Sequence, residues 1–181
     1  MLEESRKKKE LLSNRWKTAN GIQILDKILK AFQEKQPWET FTQNLPLIED
    51  VFNGKDLRGV SLNGLNLSNV DFTETNFEFA EISDFSLTDS NFSKSTFYYC
   101  KIKDATFSNC DFSKARIGRG ILENTGFKNS NLSESNFLGA SLENVTFSHS
   151  NLEKCVFLKA KLDNIKLEDC NIEGTILNKE A

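Results

Sequence analysis

The chain has no strong excess of either charge, no long apolar run and almost no histidine. Its 23 Lys and Arg nearly cancel its 26 Asp and Glu, so nothing draws it toward nucleic acid or an anionic membrane surface. No run approaches the roughly 18 apolar residues of a membrane span. Met1 to Glu10 is charged and has no hydrophobic signal core, which makes a cytoplasmic protein the expectation. The four cysteines (Cys100, Cys110, Cys155 and Cys170) form no CxxC pair, and His149 is the single histidine. A zinc site or disulfide framework is therefore not expected, nor is any cofactor.

What the chain does have is phenylalanine, 15 in all. Every fifth residue from Leu57 to Leu177 is Leu, Phe or Ile, 25 positions without a slip, and ten of the Phe fall in this register. Two residues earlier lies a second column. Of its 25 members, 21 are Ala, Ser, Thr, Val, Cys or Gly, the exceptions being Lys55, Leu65, Phe85 and Ile165. All four cysteines sit in this small column, which reads as buried packing.

A period of five matches neither a helix at 3.6 nor a flat strand at 2. It suits a chain that turns a corner every five residues, with two side chains inward and three outward, so that four corners close a coil of twenty. Ser130-Asn131-Leu132 is echoed by Ser150-Asn151-Leu152 at that longer interval. Six coils stacked at about 4.8 Å make a rod about 30 Å long. Leu65 and Phe85 are too large for their column, so a wider lumen or an altered turn is expected there.

Val70-Asp71-Phe72, Ser90-Asn91-Phe92, Cys110-Asp111-Phe112 and Ser150-Asn151-Leu152 carry Ala-(Asp/Asn)-Leu-X-X units, and in these the chain resembles the pentapeptide-repeat family. The resemblance implies an all-β solenoid: a right-handed quadrilateral β-helix of about six coils over residues 55–181. The Asp/Asn position (Asp71, Asn91, Asp111, Asn131, Asn151, Asn171) suits side chains that bond nearby backbone at turns.

Residues 1–54 lack the repeat and are expected to form a short α-helical N-terminal cap. Ile22, Leu25, Ile28, Leu29 and Phe32 have amphipathic helix spacing, and Pro37 ends that helix. Trp38, Phe41, Leu45, Leu47, Ile48, Val51 and Phe52 add apolar mass on further short helices. Lys7-Lys8-Lys9 reads as a solvated run. After Leu177 too little remains for a cap, so Leu162, Leu167, Ile172 and Leu177 mark an open end, expected to join two copies as a homodimer.

A lumen filled with Leu and Phe leaves no catalytic pocket, and His149, flanked by Ser148 and Ser150, has no sequence neighbour to make it a base. Function is expected on the outside. The face containing Leu57 and Phe77 shows Phe79, Tyr98, Tyr99, Leu138, Val156, Leu158 and Ile176, whereas the other three are polar apart from Ile121. The expectation is a non-catalytic scaffold or adaptor that binds a protein through this stripe, unless the N-terminal helices or a second subunit cover it. The resemblance also suggests DNA mimicry toward a type II topoisomerase such as gyrase. That is the weaker reading. A 30 Å length of B-DNA carries about 17 negative charges, whereas residues 55–181 hold 18 acidic against 14 basic residues. The stripe face itself sums to +3, and the coils lack the loop insertions of several gyrase-protecting members.

Overall fold

The computed structural model describes residues 2–46 and 55–177; Leu47, Ile48, Val51 and Phe52 lie outside them, as does the boundary expected at residue 54. Two α-helices lead: α1, Leu2–Arg15, and α2, Ala19–Glu34. Thr18 caps α2 by accepting the Gly21 N–H on its hydroxyl at 3.0 Å, and Lys35 closes it in the left-handed region at φ 55. A 3-10 helix follows at Glu39–Asn44.

Of the apolar residues that the spacing places on one face of α2, Ile28 and Phe32 are buried and Leu25 and Leu29 pack against the core, beside buried Ile24 and Ala31; Ile22 is exposed, which corrects the sequence reading there. α1 is absent from that reading altogether. Its basic run is not simply solvated: Lys8 pairs with Glu78 at 3.0 Å, Lys9 with Glu81 at 2.8 Å, and Lys7 with Glu3 inside the helix.

From residue 55 the chain is a four-sided parallel β-solenoid. Six short strands make the rungs β1, Ser61–Asn63; β2, Asn66–Ser68; β5, Ile121–Glu123; β6, Gly126–Lys128; β7, Ser141–Glu143; and β8, Thr146–Ser148. Two eight-residue strands, β3 (Glu81–Thr88) and β4 (Lys101–Ser108), run on round the corner between two faces, and β9 (Lys161–Asp163) and β10 (Lys166–Glu168) end the series. Every pairing is parallel and twenty residues apart, as in Ser61↔Glu81 and Lys101↔Ile121. The other two faces are ladders of single bridges, one from Asp56↔Asn76 to Val156↔Ile176 and the other from Asp71↔Asn91 to Asn151↔Asn171.

Each corner places one residue at positive φ, from Gly59 to Gly174 at every fifth position. The residues there divide by corner type. After the two ladder faces, the turn closes with its own hydrogen bond, as from Thr75 N–H to Phe72 O at 3.1 Å. An Asp or Asn before the inward residue fixes it further: Asp71 Oδ1 accepts the Thr73 N–H, and Asn91 that of Ser93. So held, the corners carry Glu74, Lys94 and Lys114 at positive φ, whereas Tyr99, which follows Thr96, has the turn's own bond from Cys100 N–H to Phe97 O. After the two strand faces the corner residue is Gly, Asn, Asp or His throughout, the types that tolerate this conformation most readily. Their side chains bond up the stack, Asn124 to Asp104 at 2.7 Å and Asn164 to Asn144 at 2.7 Å.

The lumen is a column of rings. Phe77 and Phe97 stack at 4.6 Å, Phe127 and Phe147 at 5.2 Å, and Phe137 and Phe157 at 4.7 Å. Phe85 points into it and is buried, yet the corner at Asp84 keeps φ 50, the value at Asp89. The pairing does change there: the ladder runs on through the corner, with Phe85 beside Ala105 of the next coil, whereas the coils other than those of β3 and β4 break into two short strands. Leu65 stays partly buried.

The helical segment lies over the first coil. Phe32 meets Phe72 edge-on at 5.1 Å, and Trp38 packs on both while its indole N–H donates to Asp71 O. Trp16 donates to Arg58 O at 2.8 Å. Arg15 and Arg58, both buried, converge on Asp56. Burial alone would push the Asp56 carboxyl up; the hydrogen bonds from Arg15 and Arg58 outweigh it and hold the group well below the usual carboxylate range.

Candidate interaction face and open end

The face of Leu57 and Phe77 divides into a covered and an open part. Gly59 lies against α1: a Cβ on it would come within 2.5 Å of the Leu12 backbone. Phe79, in the next coil, is buried and stacks on Tyr99 at 5.2 Å. Arg119 follows, its guanidinium over the Tyr99 ring at 5.5 Å and donating to the Tyr99 hydroxyl. Tyr98 is half-buried because its ring fills the space left by Gly118, where a Cβ would sit 2.9 Å from the ring.

Further along, the apolar residues open to water. Leu138, Leu158 and Ile176 are exposed, with Val156 half-buried among them. Phe79 thus drops out of the exposed stripe, and the remaining members lie on one side of the rod. The sequence reading named the apolar residues and missed the cations beside them, Arg116, Arg119 and Lys159, all exposed. The face sum of +3 was the signal.

Among the described residues, no coil stacks beyond the one that contains β9 and β10. Leu162, Leu167, Ile172 and Leu177 are 42 to 54% exposed, and with Phe147, Leu152 and Phe157 they line an open concavity of about 240 Å3. Every other Leu, Phe or Ile of the large inward column is buried.

Polar chemistry elsewhere is sparse. His149 has a partner that its sequence neighbours do not supply: Asp169, one coil on, lies 3.5 Å from its Nδ1. Both are well exposed at a corner, with no enclosing cavity. Cys100, Cys110 and Cys155 are buried, whereas Cys170, in the last coil, is half-exposed; all four are free thiols. Among the described residues no group of three His, Cys, Asp or Glu side chains could hold a metal ion, and no helix is long and apolar enough to cross a membrane.

One large and one small inward residue in every five, with a turn between, define a parallel β-solenoid of five-residue repeats. The family model described as "Pentapeptide repeat region" matches residues 60–137 and 100–177. The chain belongs to the pentapeptide-repeat family. Solved structures similar to it include trypsin-treated QnrB1, a plasmid-mediated fluoroquinolone resistance protein, at 21% identity and TM-score 0.43, over 66% of this chain and 71% of that one. A pentapeptide repeat protein from the thylakoid lumen of Arabidopsis thaliana matches at 21% identity and TM-score 0.44, over 47% of this chain and 59% of that one. HetL, involved in heterocyst differentiation regulation in Nostoc, matches at 14% identity and TM-score 0.23, over 65% and 86%. No curated protein matches the chain significantly.

Proposed function

We propose that this protein is a non-catalytic, cytoplasmic scaffold or adaptor that binds a protein partner through the open part of the stripe face. The observation that carries it is the alignment of Leu138, Leu158 and Ile176, exposed at 38 to 46%, on one side of a rod whose lumen is filled. An apolar patch confined to one face of a water-exposed rod is a contact surface in search of cover. Four free thiols suit a reducing compartment.

The C-terminal rim supports a second contact, between two copies, because exposed inward residues and open strand edges both gain from pairing. A DNA-mimic action on gyrase stays the weaker reading, since the open stripe carries cations where a phosphate mimic needs anions. The test of the main reading is capture from native lysate by wild type and by the Leu138→Ser/Leu158→Ser variant. Partners retained by wild type and lost by the variant are expected; identical capture by both would rule the stripe out.

A further inference from the structure

The stripe face already accommodates one helix. α1 lies along its first coils with its N-terminal end pointing up the rod: Arg15 pairs with Asp56, Leu12 abuts Gly59, and Lys8 reaches Glu78 one coil further on. Lys8 and Leu12 are four residues apart and meet successive coils. One helical turn covers one coil, because a helix pitch of about 5.4 Å is close to the coil spacing of about 4.8 Å. Gly59, at φ +67, is what lets the backbones approach so closely. The charges match as well, the cations of α1 meeting Asp56, Glu78 and the adjoining Glu81.

Beyond α1 the sign of the face reverses. From Thr96 to Ile176 its outward positions include no Asp or Glu and three cations, Arg116, Arg119 and Lys159. Between them stand Leu138, Val156, Leu158 and Ile176. The backbone of this stretch is already committed from coil to coil: Phe97 N–H donates to Arg116 O, Ile117 N–H to Asn136 O, and Phe137 N–H to Val156 O. A bound segment therefore gains no ladder of main-chain bonds here and has to satisfy its own backbone while offering side chains at coil intervals.

We infer that the open stretch receives a second helix, supplied by a protein partner, amphipathic and acidic, lying along the rod in line with α1. This rests on the reading of the stripe as a protein-binding face. Four coil steps separate Tyr98 from Ile176, ~19 Å at the inter-strand spacing, which ~13 residues of helix would span. Apolar side chains recurring every three or four residues would fall on Leu138, Leu158 and Ile176, and carboxylates flanking them would meet Arg116, Arg119 and Lys159.

Selection of a random library of peptides of about 13 residues on the full chain, with counter-selection on Leu138→Ser/Leu158→Ser, tests this directly. The expected winners are acidic, carry apolar residues at helical spacing, become helical by circular dichroism when bound, and bind the Arg119→Glu/Lys159→Glu variant about ten-fold more weakly. Stripe-dependent winners that are basic, or that bind as extended chain, would overturn the helix inference and leave the stripe as a binding face. Failure of any peptide to distinguish wild type from the Ser variant would overturn both. A change in the protein's own oligomeric mass in the Ser variant would show that a second copy occupies the face, which also overturns the inference.

Discussion

Phe92 and Phe112 stack ring on ring, centroids 4.5 Å apart and planes 10° apart, each supplied by the same inward position of successive coils. Phe112 also meets Phe107 edge-on at 5.1 Å and Phe127 at 5.4 Å, so it stands at the junction of two columns of rings. Phe112→Ala would leave a cavity that neighbours fixed by the coil ladder cannot close. A loss of about 3–5 kcal/mol is expected in urea unfolding, with a cooperative transition. A variant as stable as wild type would mean the rings are not packed as described.

The strand-face corners make a sharper test, because there the backbone rather than the core sets the cost. Asn144 has φ 54, donates to Asn124 at 3.1 Å and accepts from Asn164 at 2.7 Å. Asn144→Gly keeps the backbone at ease and gives up the two exposed bonds, a loss of about 1 kcal/mol. Asn144→Val adds a β-branched residue where left-handed φ costs ~1–2 kcal/mol. The Val variant should unfold at clearly lower denaturant than the Gly variant; equal midpoints would contradict the corner assignment.

The buried thiols give a prediction in pH. Burial pushes Cys100 up to about 12 and is the main cause for Cys110 and Cys155, both up to about 11, from an ordinary 9.0. Folded pKa values above the unfolded one favour the folded state fully below pH 9.0, and that contribution is lost as pH climbs toward 11 to 12. Between these limits the unfolded thiols ionise first, and stability should fall by up to about 1.4 kcal/mol per pH unit for each thiol. Replacing the three cysteines with alanine should flatten that alkaline slope in denaturant melts. Near neutral pH, half-exposed Cys170 should react with a thiol reagent well before the other three. Simultaneous labelling of all four would show that the lumen is open.

At the C-terminal rim, light scattering at tens of micromolar is expected to give twice the 20.6 kDa chain mass, and Leu167→Lys should return it to the monomer. Leu167 is 50% exposed, so a charge there costs the isolated chain little while it disfavours apolar pairing. A monomeric wild type would remove the dimer.

The inward columns were legible because each repeats one demand, a large apolar residue at all 25 positions of one and a small residue at 21 of the 25 of the other. The corner rule was equally present, with Gly64, Asn69, Asp84 and Asp89 recurring on two sides of the square only, but it becomes visible once the two turn types are known. α1 was illegible for a different reason. Its first ten residues bury no described side chain, and the ion pairs that tie it to the solenoid join residues 41 to 72 apart in sequence. No local pattern encodes such contacts. Ile22 misled because a helix of 16 residues offers neighbouring apolar faces, and the one that binds is chosen by Phe72 and Trp38 across the interface.

The coil of twenty residues has a consequence for how such a chain can change its length. Losing or gaining a whole coil would shorten or extend the rod and leave every later side chain facing the same way. Losing a single unit of five would preserve the filling of the lumen and yet swing everything after it through a quarter turn. Leu138 and Leu158 would then no longer share a wall with Tyr98. Core and compass bearing are thus inherited separately in this architecture, and only multiples of four units conserve both.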